Sequence, residues 1–504
     1  MLEIHFPAGT GSSIQSHLLL FLLLMLGTGV CALPGFAGTP DRDMFTELAW
    51  SPTDSSRQAI GGVHPSLVKF DPSIRYMQSN REAPVIDTII VVGNKVTDPF
   101  VLFAEMELDV GSVATPEAMK RDQDRLESLG LFSRAHMKLG SMTRNRTALI
   151  VDVTELWYIW PGLYLAVDEN DPTRASYGGI VTHDNFRGRN ESLSISGRYG
   201  YITGFEFEWD IPYLSPQRTE WALNMQGSFT NEDEPRFLKD RTGVTSRQRV
   251  VSGKVGYRFS LENYAWFKLG ARSRAFESRD GRHLWLTESE SGEDIVGEVE
   301  VAYERDTRTY KSWPGNAYVY RFVLGSGVGL NHLSSRFVKP EVYGASYYTP
   351  VDRIHFAGRV RATTYIGDIP IYERVLLDRE NGIRTSMQRV FEGSWRVLST
   401  VEFRTDVLPV RYLTFKLWEP VNQYTRNLKF GISTALFTDY GVVGGVEEPS
   451  PFSDSQETEG WDVAYGFGLI LHIPYRDMIR AEVMRSARYP SDGLLFRIRL
   501  GTFF

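Results

Sequence analysis

From Trp157 to the end of the chain, hydrophobic and polar residues alternate. One stretch carries apolar side chains at every second position: Val463, Tyr465, Phe467, Leu469, Leu471 and Ile473. Because successive side chains of a β-strand point to opposite faces of a sheet, this pattern predicts strands, and we place about sixteen of them over 157–504. Alternation alone does not distinguish a soluble sandwich from a membrane barrel, since both bury one face of each strand.

The connections between these strands alternate in length. Short connections such as FRGRN, SLEN and PYRD alternate with long polar loops, of which 366–393 and 440–461 are examples. Short turns on one side and long loops on the other are typical of a bacterial transmembrane β-barrel. We therefore predict a 16-stranded antiparallel barrel over 157–504. One connection departs from the rule, because 407–426 is long where a short turn is expected, and it predicts either an additional strand or a periplasmic flap.

A barrel must close, because an unpaired backbone group in hydrocarbon costs several kcal/mol. The polar face of the alternation then lines a lumen. An Arg on the lipid face at the bilayer midplane would cost about 2 to 4 kcal/mol. Arg497 and Arg499 of the last strand are therefore predicted to point inward.

Residues 84–156 carry a different pattern, in which helical periods lie between strand-like runs. The run VIDTIIVV predicts a strand, Pro99 and Pro116 mark the first turns of two helices, and Gly130 ends the second helix. Two more strands complete a β-α-α-β-β order. This order, with VVGNKV, RLESLGLFSRAHM and ALIVDVTEL, resembles the POTRA domain, a periplasmic module of outer-membrane assembly and secretion proteins. An unrelated small α+β domain is the alternative.

The residues before this unit read as two segments. The apolar block LLLFLLLML, 18–26, is far shorter than the roughly 20 residues of a spanning helix and fits the core of a signal peptide over 1–37. A buried apolar segment is the alternative, since no Lys or Arg precedes the block. Residues 38–83 are polar and rich in Pro and Gly, which predicts a flexible linker.

Composition and the absence of known motifs argue against several classes of function. The net charge of −7, without any basic run, argues against a nucleic-acid partner. Cys31 is the only cysteine, so we expect neither a disulfide nor a thiolate metal site. No G-x-S-x-G, H-E-x-x-H or phosphate-binding glycine loop occurs, and we expect no enzymatic activity, cofactor or metal.

Four segments narrow the barrel to a family: NGIRTS at 381–386, FTDYG at 437–441, DNFRGRNESLSI and YERDTRTYKSWPG. With them, 84–504 resembles the BamA/TamA superfamily of outer-membrane assembly and secretion proteins. In that family an external loop folds back into the lumen, where its Arg meets the wall near an F-x-D-x-G segment. The resemblance implies a loop–wall pair of Arg384 and Asp439, which can form a charge-assisted hydrogen bond. It also implies support from Gly382, Phe437 and Gly441.

The loop also departs from the family. Thr385 and Ser386 stand where the family has a Gly and an aromatic residue after the Arg. Strand parity nevertheless places Phe437 and Asp439 together on the inward face.

The chain ends in GLLFRIRLGTFF, which resembles the aromatic-ended signal that barrel assembly machinery reads in its clients. Its signal and seam residues are Phe496, Ile498, Leu500 and Phe504. The family's mechanism implies that the first and last strands pair weakly, open toward lipid and accept a client strand by β-augmentation. On the first strand, the seam residues are Tyr158, Trp160 and Tyr164.

The resemblance implies an outer-membrane factor that inserts β-rich proteins, with the POTRA-like domain in the periplasm. Its expected partners are outer-membrane lipid, unfolded β-rich clients and periplasmic chaperones or accessory subunits. A secretion pore that exports a dedicated partner is the alternative within the superfamily. A passive porin or receptor is the alternative outside it, although it would need neither a POTRA domain nor the loop Arg.

Overall fold

The computed structural model describes part of the chain. The described residues are 48–50, 66–67, 75–76, 83–142, 146–167, 174–233, 244–278, 286–311, 314–377, 383–385, 391–416, 418, 421–446, 460–474 and 478–500. The predicted signal peptide, 1–37, lies outside them. Of the helices in these ranges, none is both long and apolar enough to cross a membrane.

The small domain is a six-stranded sheet covered by two helices. In chain order its elements are β1 (Leu48–Trp50), β2 (Ser66–Leu67), β3 (Arg75–Tyr76), β4 (Thr88–Val92), α1 (Pro99–Glu105), α2 (Pro116–Ser128), β5 (Phe132–Met142) and β6 (Arg146–Glu155). The sheet order is β2-β1-β4-β6-β5-β3, and only β4 and β6 pair in parallel. The β-α-α-β-β order predicted from the sequence, here β4 to β6, is confirmed.

The prediction that 38–83 is a flexible linker needs correction at three places. β1 pairs with β4, β2 pairs with β1, and β3 pairs with β5, so segments of 38–83 extend both edges of the sheet. An edge strand presents unpaired N–H and C=O groups that a neighbouring extended segment can satisfy. The sequence gives no hint of this, because segments of two or three residues are too short to show a period.

Local sequence explains the helices and the core of this domain. The side chain of Thr115 accepts a hydrogen bond from the Ala118 N–H at 3.2 Å, and Pro116 follows in the first turn, as at a typical helix start. The buried side chains between sheet and helices include Ile89, Val91, Val101, Leu102, Leu126, Leu149 and Val151. Each stabilises the domain by about 1.5 to 3 kcal/mol relative to exposure.

Most of the remaining described residues form one closed antiparallel sheet. Its strands are β7 (Ile159–Val167), β8 (Ala175–Phe186), β9 (Glu191–Gly200), β10 (Ile202–Ile211), β11 (Trp221–Asp233), β12 (Val244–Arg258), β13 (Asn263–Ser278), β14 (Glu293–Asp306), β15 (Ala317–Gly329), β16 (Arg336–Val351), β17 (Ile354–Thr364), β18 (Ile366–Asp368), β21 (Trp395–Leu413), β22 (Leu428–Gly444), β23 (Gly460–His472), β24 (Ile479–Ser486) and β25 (Leu495–Leu500); β19 (Val375–Leu377) and β20 (Phe391–Gly393) form a separate hairpin. Sequential strands are neighbours, and the order closes from β25 to β7.

The predicted number of barrel strands agrees with this sheet. β17 and β18 both pair with β16, at Glu341↔Thr363 and Val338↔Ile366, and therefore form one interrupted strand. Pro340 lies at the interruption, where a missing N–H donor is tolerated. Counted this way, the described residues form a barrel of sixteen strands, and the predicted fold class is confirmed.

The two faces of the wall differ as the alternation predicts. Leu163, Leu324 and Leu436 are exposed on the outside, whereas the inside carries buried polar and charged residues. In β25, Phe496 is exposed and Arg497 is buried, so Arg497 points inward as predicted. Arg499, two residues further along the same strand, shares that face.

Two long connections have structures of their own. Part of the loop between β18 and β21 enters the lumen, where the β19–β20 hairpin packs against the inner surfaces of β21, β22 and β23. At the opposite mouth, 407–426 was predicted to hold an additional strand or a flap. No new strand forms in its described residues; instead β21 continues to Leu413 through two register shifts, and a 3-10 helix covers Val421–Thr425.

Candidate functional site in the barrel lumen

Apolar packing brings the long loop against the barrel wall. Leu377 and Ile383 of the loop are almost fully buried and belong to a cluster that includes Val443 on β22 and Ala464 on β23. Gly441 makes this approach possible, because a Cβ atom there would lie 2.7 Å from Leu377 Cδ1 and 2.8 Å from Ile383 Cγ2. The loop therefore rests where the wall has no side chain.

This packing places Arg384 beside Asp439. The Arg384 Nη1 atom donates to Asp439 Oδ1 at 2.8 Å, and the Arg384 backbone N–H donates to Asp439 Oδ2 at 3.2 Å. Both side chains are buried. The structure thus brings together the two residues that the sequence singled out.

Arg384 also meets two carboxylates that were not predicted, and the ring of Phe437, which was. Its Nη2 donates to Glu402 Oε2 at 2.9 Å, and its Nε lies 3.2 Å from Glu482 Oε1. The guanidinium carbon lies 3.8 Å from the centre of the Phe437 ring, in a cation–π arrangement. Phe437 therefore covers the flat face of the guanidinium, while three carboxylates meet its edge.

Two further arginines balance the charge of these carboxylates. Arg480 Nη2 lies 3.0 Å from Glu402 Oε2 and 3.0 Å from Glu482 Oε1, and the Arg404 Nε donates to Glu402 Oε1. We call Arg384, Arg404, Arg480, Glu402, Asp439 and Glu482 the luminal ion cluster. It contains three cations and three anions, and all six side chains are buried. A buried charge is tolerated only when it is paired, so this arrangement fixes the loop in one position.

Thr385, at which the sequence departs from the family, has a hydrogen-bond partner of its own. The Thr385 hydroxyl donates to Asp462 Oδ2 at 2.8 Å, and the Ser486 hydroxyl donates to Asp462 Oδ1 at 2.7 Å. A hydroxyl at this position thus bonds to β23, where the family's Gly could not. Ser386 lies outside the described residues.

The first part of the loop is held separately. Tyr372 donates to Asp294 Oδ2 on β14 at 2.7 Å, and Glu373 pairs with Arg272 on β13 at 2.9 Å. The loop therefore contacts both sides of the lumen.

The other predicted residues lie as follows. Trp160 and Tyr164 are half-buried on the side of β7 opposite to the exposed Leu163. On β25, Phe496 faces outward and Ile498 is half-buried, and the backbone of Leu500 is aligned with Ile479. Gly382 and Phe504 lie outside the described residues.

The assignment of Tyr158 to the seam is wrong. Tyr158 precedes β7, is buried in the core of the small domain, and its hydroxyl lies 3.1 Å from Thr97 Oγ1. The Asn185 side chain, at the end of β8, donates to the same Thr97 oxygen at 3.0 Å. Tyr158 lies at the boundary between the two domains, and it belongs to the small domain because its ring completes that apolar core.

Besides the contact of Asn185 with Thr97, two groups of contacts join the small domain to one mouth of the barrel. On one side, Arg258 at the end of β12 donates to Glu105 at 2.7 and 3.2 Å, and Tyr213 donates to the same carboxylate. On the other side, the Tyr412 hydroxyl donates to Glu127 Oε2 at 2.7 Å. The domain therefore contacts this mouth through β10 to β12 and through β21.

Two family models match separate parts of the chain. A POTRA model, described as a surface antigen variable number repeat, matches 84–156, and an Omp85 superfamily domain matches 185–385. The chain belongs to the Omp85 superfamily. Its barrel accordingly lies in the bacterial outer membrane with the POTRA domain in the periplasm, and the BamA/TamA resemblance is confirmed.

The individual proteins that resemble this Omp85 chain share little sequence identity with it. It is 21% identical over 321 residues to the outer membrane protein assembly factor BamA of Nitratidesulfovibrio vulgaris, a match that covers 62% of this chain but only 39% of that protein. CdiB from Escherichia coli shares the fold, with a TM-score of 0.52 and 11% identity over 81% of this chain and 74% of that one. BamA from Haemophilus ducreyi lacking POTRA domains 1–3 gives a TM-score of 0.47 at 14% identity, covering 82% and 83%.

Sequence reasoning missed four members of the luminal ion cluster in this Omp85 barrel. Alternation does place Glu402 and Arg404 on the polar face of β21, so the signal for their direction was present. Their neighbours depend on cross-strand register, in which Glu402 is aligned with Phe437, and Glu482 with Gly468. Register follows from turn geometry and bulges, which the alternation does not specify.

Proposed function

We propose that this protein is an outer-membrane assembly factor that inserts β-rich client proteins through a seam between β25 and β7. The observation that carries the proposal is the contrast between this part of the wall and the rest. β24, which pairs with β25 and has described residues beyond both of its ends, spans only eight residues, whereas β23 spans thirteen and β22 seventeen. Short strands offer few ladder hydrogen bonds, so the wall opens there at the lowest cost.

The sequence of β7 supports a seam at the same place. Pro161 lies within β7 and has no N–H to donate, and proline is confined to edge strands, strand starts and bulges. The pairing of β7 with β8 runs through Pro161↔Val181 without a register shift. We infer that the missing donor is tolerated because β7 acts as an edge toward β25.

The lumen supports assembly over passive diffusion. The β19–β20 hairpin and the luminal ion cluster occupy the interior at β21 to β24, and Glu373 reaches β13 on the other side. A diffusion pore would gain nothing from burying a balanced ion cluster inside its channel. In the proposed mechanism, the fixed loop stiffens the wall beside the seam, and a client strand adds to the edge of β7 or β25 by β-augmentation.

A disulfide across the seam tests this function. Cysteine pairs join Leu163→Cys on β7 with Phe496→Cys or Ile498→Cys on β25, in a chain whose Cys31 is replaced by Ser. The control pair, Val251→Cys and Ala271→Cys, joins the aligned strands β12 and β13 away from the seam.

Oxidation of a seam pair is expected to stop the assembly of other outer-membrane barrels, measured by their heat-modifiable migration, and a reductant should restore it. The control pair should have no effect when oxidised. Full assembly activity with a fully oxidised seam would contradict the proposal. So would normal barrel assembly with loss of a single exported protein, which would indicate a secretion pore.

A further inference from the structure

The connection between β21 and β22 has no part in the proposed seam mechanism. β21 extends past the barrel mouth, and the chain then returns through a 3-10 helix. We name residues 407–416, Trp418 and 421–426 the periplasmic ribbon. Its backbone is ordered by hydrogen bonds of its own, such as Phe415 N–H to Thr425 O at 3.0 Å.

One face of the periplasmic ribbon is docked on the POTRA domain. Tyr412 donates to Glu127 of α2, and the Arg134 guanidinium lies 5.1 Å from the centre of the Tyr412 ring. The Ser133 hydroxyl donates to the Arg426 carbonyl at 3.1 Å. These contacts fix the direction of the ribbon relative to the barrel axis.

The opposite face continues the lipid-facing surface of the wall. Cross-strand partners point to the same side of a sheet, and Leu408 is aligned with Ile432 and Leu413 with Leu428. These β22 positions share the parity of Leu436, which is exposed toward lipid. Phe415 lies edge-on to Phe430 of the same face, with ring centres 6.0 Å apart. The ribbon thus lengthens the outer face of the barrel beyond its periplasmic mouth.

The exposed side chains of the ribbon are of two kinds. The apolar ones are Val407, Leu408, Val410, Leu413, Phe415 and Trp418, which are 39 to 63% exposed. Arg411 and Lys416 are exposed among them. Contiguous exposed apolar surface marks an interaction site, and Trp beside Lys or Arg is typical of a membrane–water interface.

We propose that the periplasmic ribbon is a membrane-interface anchor that binds anionic phospholipid of the periplasmic leaflet. Phe415 and Trp418 enter the boundary between headgroups and acyl chains, while the long side chains of Arg411 and Lys416 reach the headgroup phosphates. The continuity of this face with the lipid-facing wall and the positive charge together identify the occupant. Because Tyr412 on the other face donates to Glu127 of the POTRA domain, the anchor sets the distance between the POTRA domain and the membrane surface. This inference does not depend on the seam mechanism.

Site-directed spin labelling of the full chain tests the anchor. A nitroxide is attached at Leu413→Cys, with Cys31 replaced by Ser, and the purified protein is reconstituted without other proteins into phosphatidylcholine vesicles with or without phosphatidylglycerol. Accessibility to oxygen, which concentrates in the bilayer, is compared with accessibility to a water-soluble nickel chelate. Leu436→Cys on the lipid-facing wall and Leu333→Cys, 75% exposed in a loop at the opposite mouth, are the controls.

In vesicles with phosphatidylglycerol, the label at Leu413→Cys should be protected from nickel like the Leu436→Cys control. Nickel accessibility equal to that of Leu333→Cys would overturn the anchor and leave the surface to a protein partner. Arg411→Gln and Lys416→Gln should each reduce the membrane-docked population about fivefold in these vesicles. Equal protection with and without phosphatidylglycerol would overturn the assignment to anionic lipid.

Discussion

The barrel holds two separate parts of the chain, and it holds them by different physics. The luminal loop is held by six buried charges and by apolar side chains packed over a glycine. The ion pairs that hold the POTRA domain at the periplasmic mouth are partly exposed, such as Arg258 with Glu105, whose side chains are 19% and 14% exposed. Buried ion pairs are costly to break singly, whereas pairs in contact with water are cheap to break and re-form. We therefore expect a permanent attachment in the lumen and an adjustable one at the mouth.

The largest expected effect follows from removing the centre of the luminal ion cluster. Arg384→Ala leaves Asp439, Glu402 and Glu482 with one cation fewer, which should lower the free energy of unfolding by about 3 to 5 kcal/mol. Denaturant unfolding of the barrel in lipid vesicles, followed by heat-modifiable migration, measures this. Arg361→Ala is the matched control, because Arg361 pairs with Glu341 at 2.8 Å but is 46% exposed, and it should cost under about 1 kcal/mol.

A double-mutant cycle tests whether Arg384 and Asp439 act as a pair. The loss of unfolding free energy in the combined Arg384→Ala and Asp439→Ala variant should be smaller than the sum of the two single losses, by about 1 kcal/mol or more. Strictly additive losses would mean that the contact does not hold the loop.

The next effect is steric and leaves every charge in place. Gly441→Val inserts atoms where Leu377 and Ile383 now lie, and overpacking of this kind costs about 1 to 3 kcal/mol. The same denaturant measurement applies, and faster proteolysis of the loop should accompany the loss. Gly227→Val on β11 is the control, because a Cβ atom there meets nothing within 4 Å. Equal effects of the two substitutions would show that Gly441 is not where the loop rests.

At the mouth, Glu105→Gln should have a smaller effect. It removes the charge that Arg258 and Tyr213 share and should weaken docking of the POTRA domain by about 1.5 kcal/mol or less, since the Arg258 and Glu105 side chains are partly exposed to water. Distances between spin labels on α2 and on β12 should broaden while barrel stability stays unchanged. Asp152→Asn, whose carboxylate lies 3.6 Å from Lys138 on the face of the POTRA domain, is the control. A fall in barrel stability would contradict the contrast between the two attachments.

The two attachments could be predicted from the sequence to different extents. The barrel, its sixteen strands and the POTRA order follow from periods and loop lengths, because these are local properties of the chain. Arg384 and Asp439 were found through a resemblance and strand parity. Glu402 and Glu482 could not be found, because their proximity depends on the register of three strand pairs. The docking of Tyr412 on Glu127 was equally hidden, since 285 residues separate them and no period connects them.

The smallest expected effect concerns two carboxyl groups beside α2 of the POTRA domain whose pKa values move in opposite directions. The Arg125 guanidinium, which donates to Glu107 Oε1 at 2.8 Å, lowers the pKa of Glu107 below 4.5. Burial raises the pKa of Asp122 above 3.8, although its oxygens accept from the backbone N–H groups of Glu107 and Leu108, each at 2.9 Å. One domain therefore contains one carboxyl that favours its charged form on folding and one that disfavours it.

The signs of their contributions to stability follow from linkage. Glu107 stabilises the domain above pH 4.5, and this is lost as pH falls through its lowered pKa; Asp122 contributes below pH 3.8, and this is lost as pH rises through its raised pKa. The destabilisation caused by Glu107→Gln should therefore shrink as pH falls, and that caused by Asp122→Asn should shrink as pH rises. Hydrogen exchange of β4 and β6 amides in the full chain between about pH 3 and 6 measures both, with Glu117→Gln in the exposed first turn of α2 as control. Parallel pH profiles for the two variants would refute the opposite shifts, and any change in barrel amides would mean that the POTRA domain and the barrel unfold together.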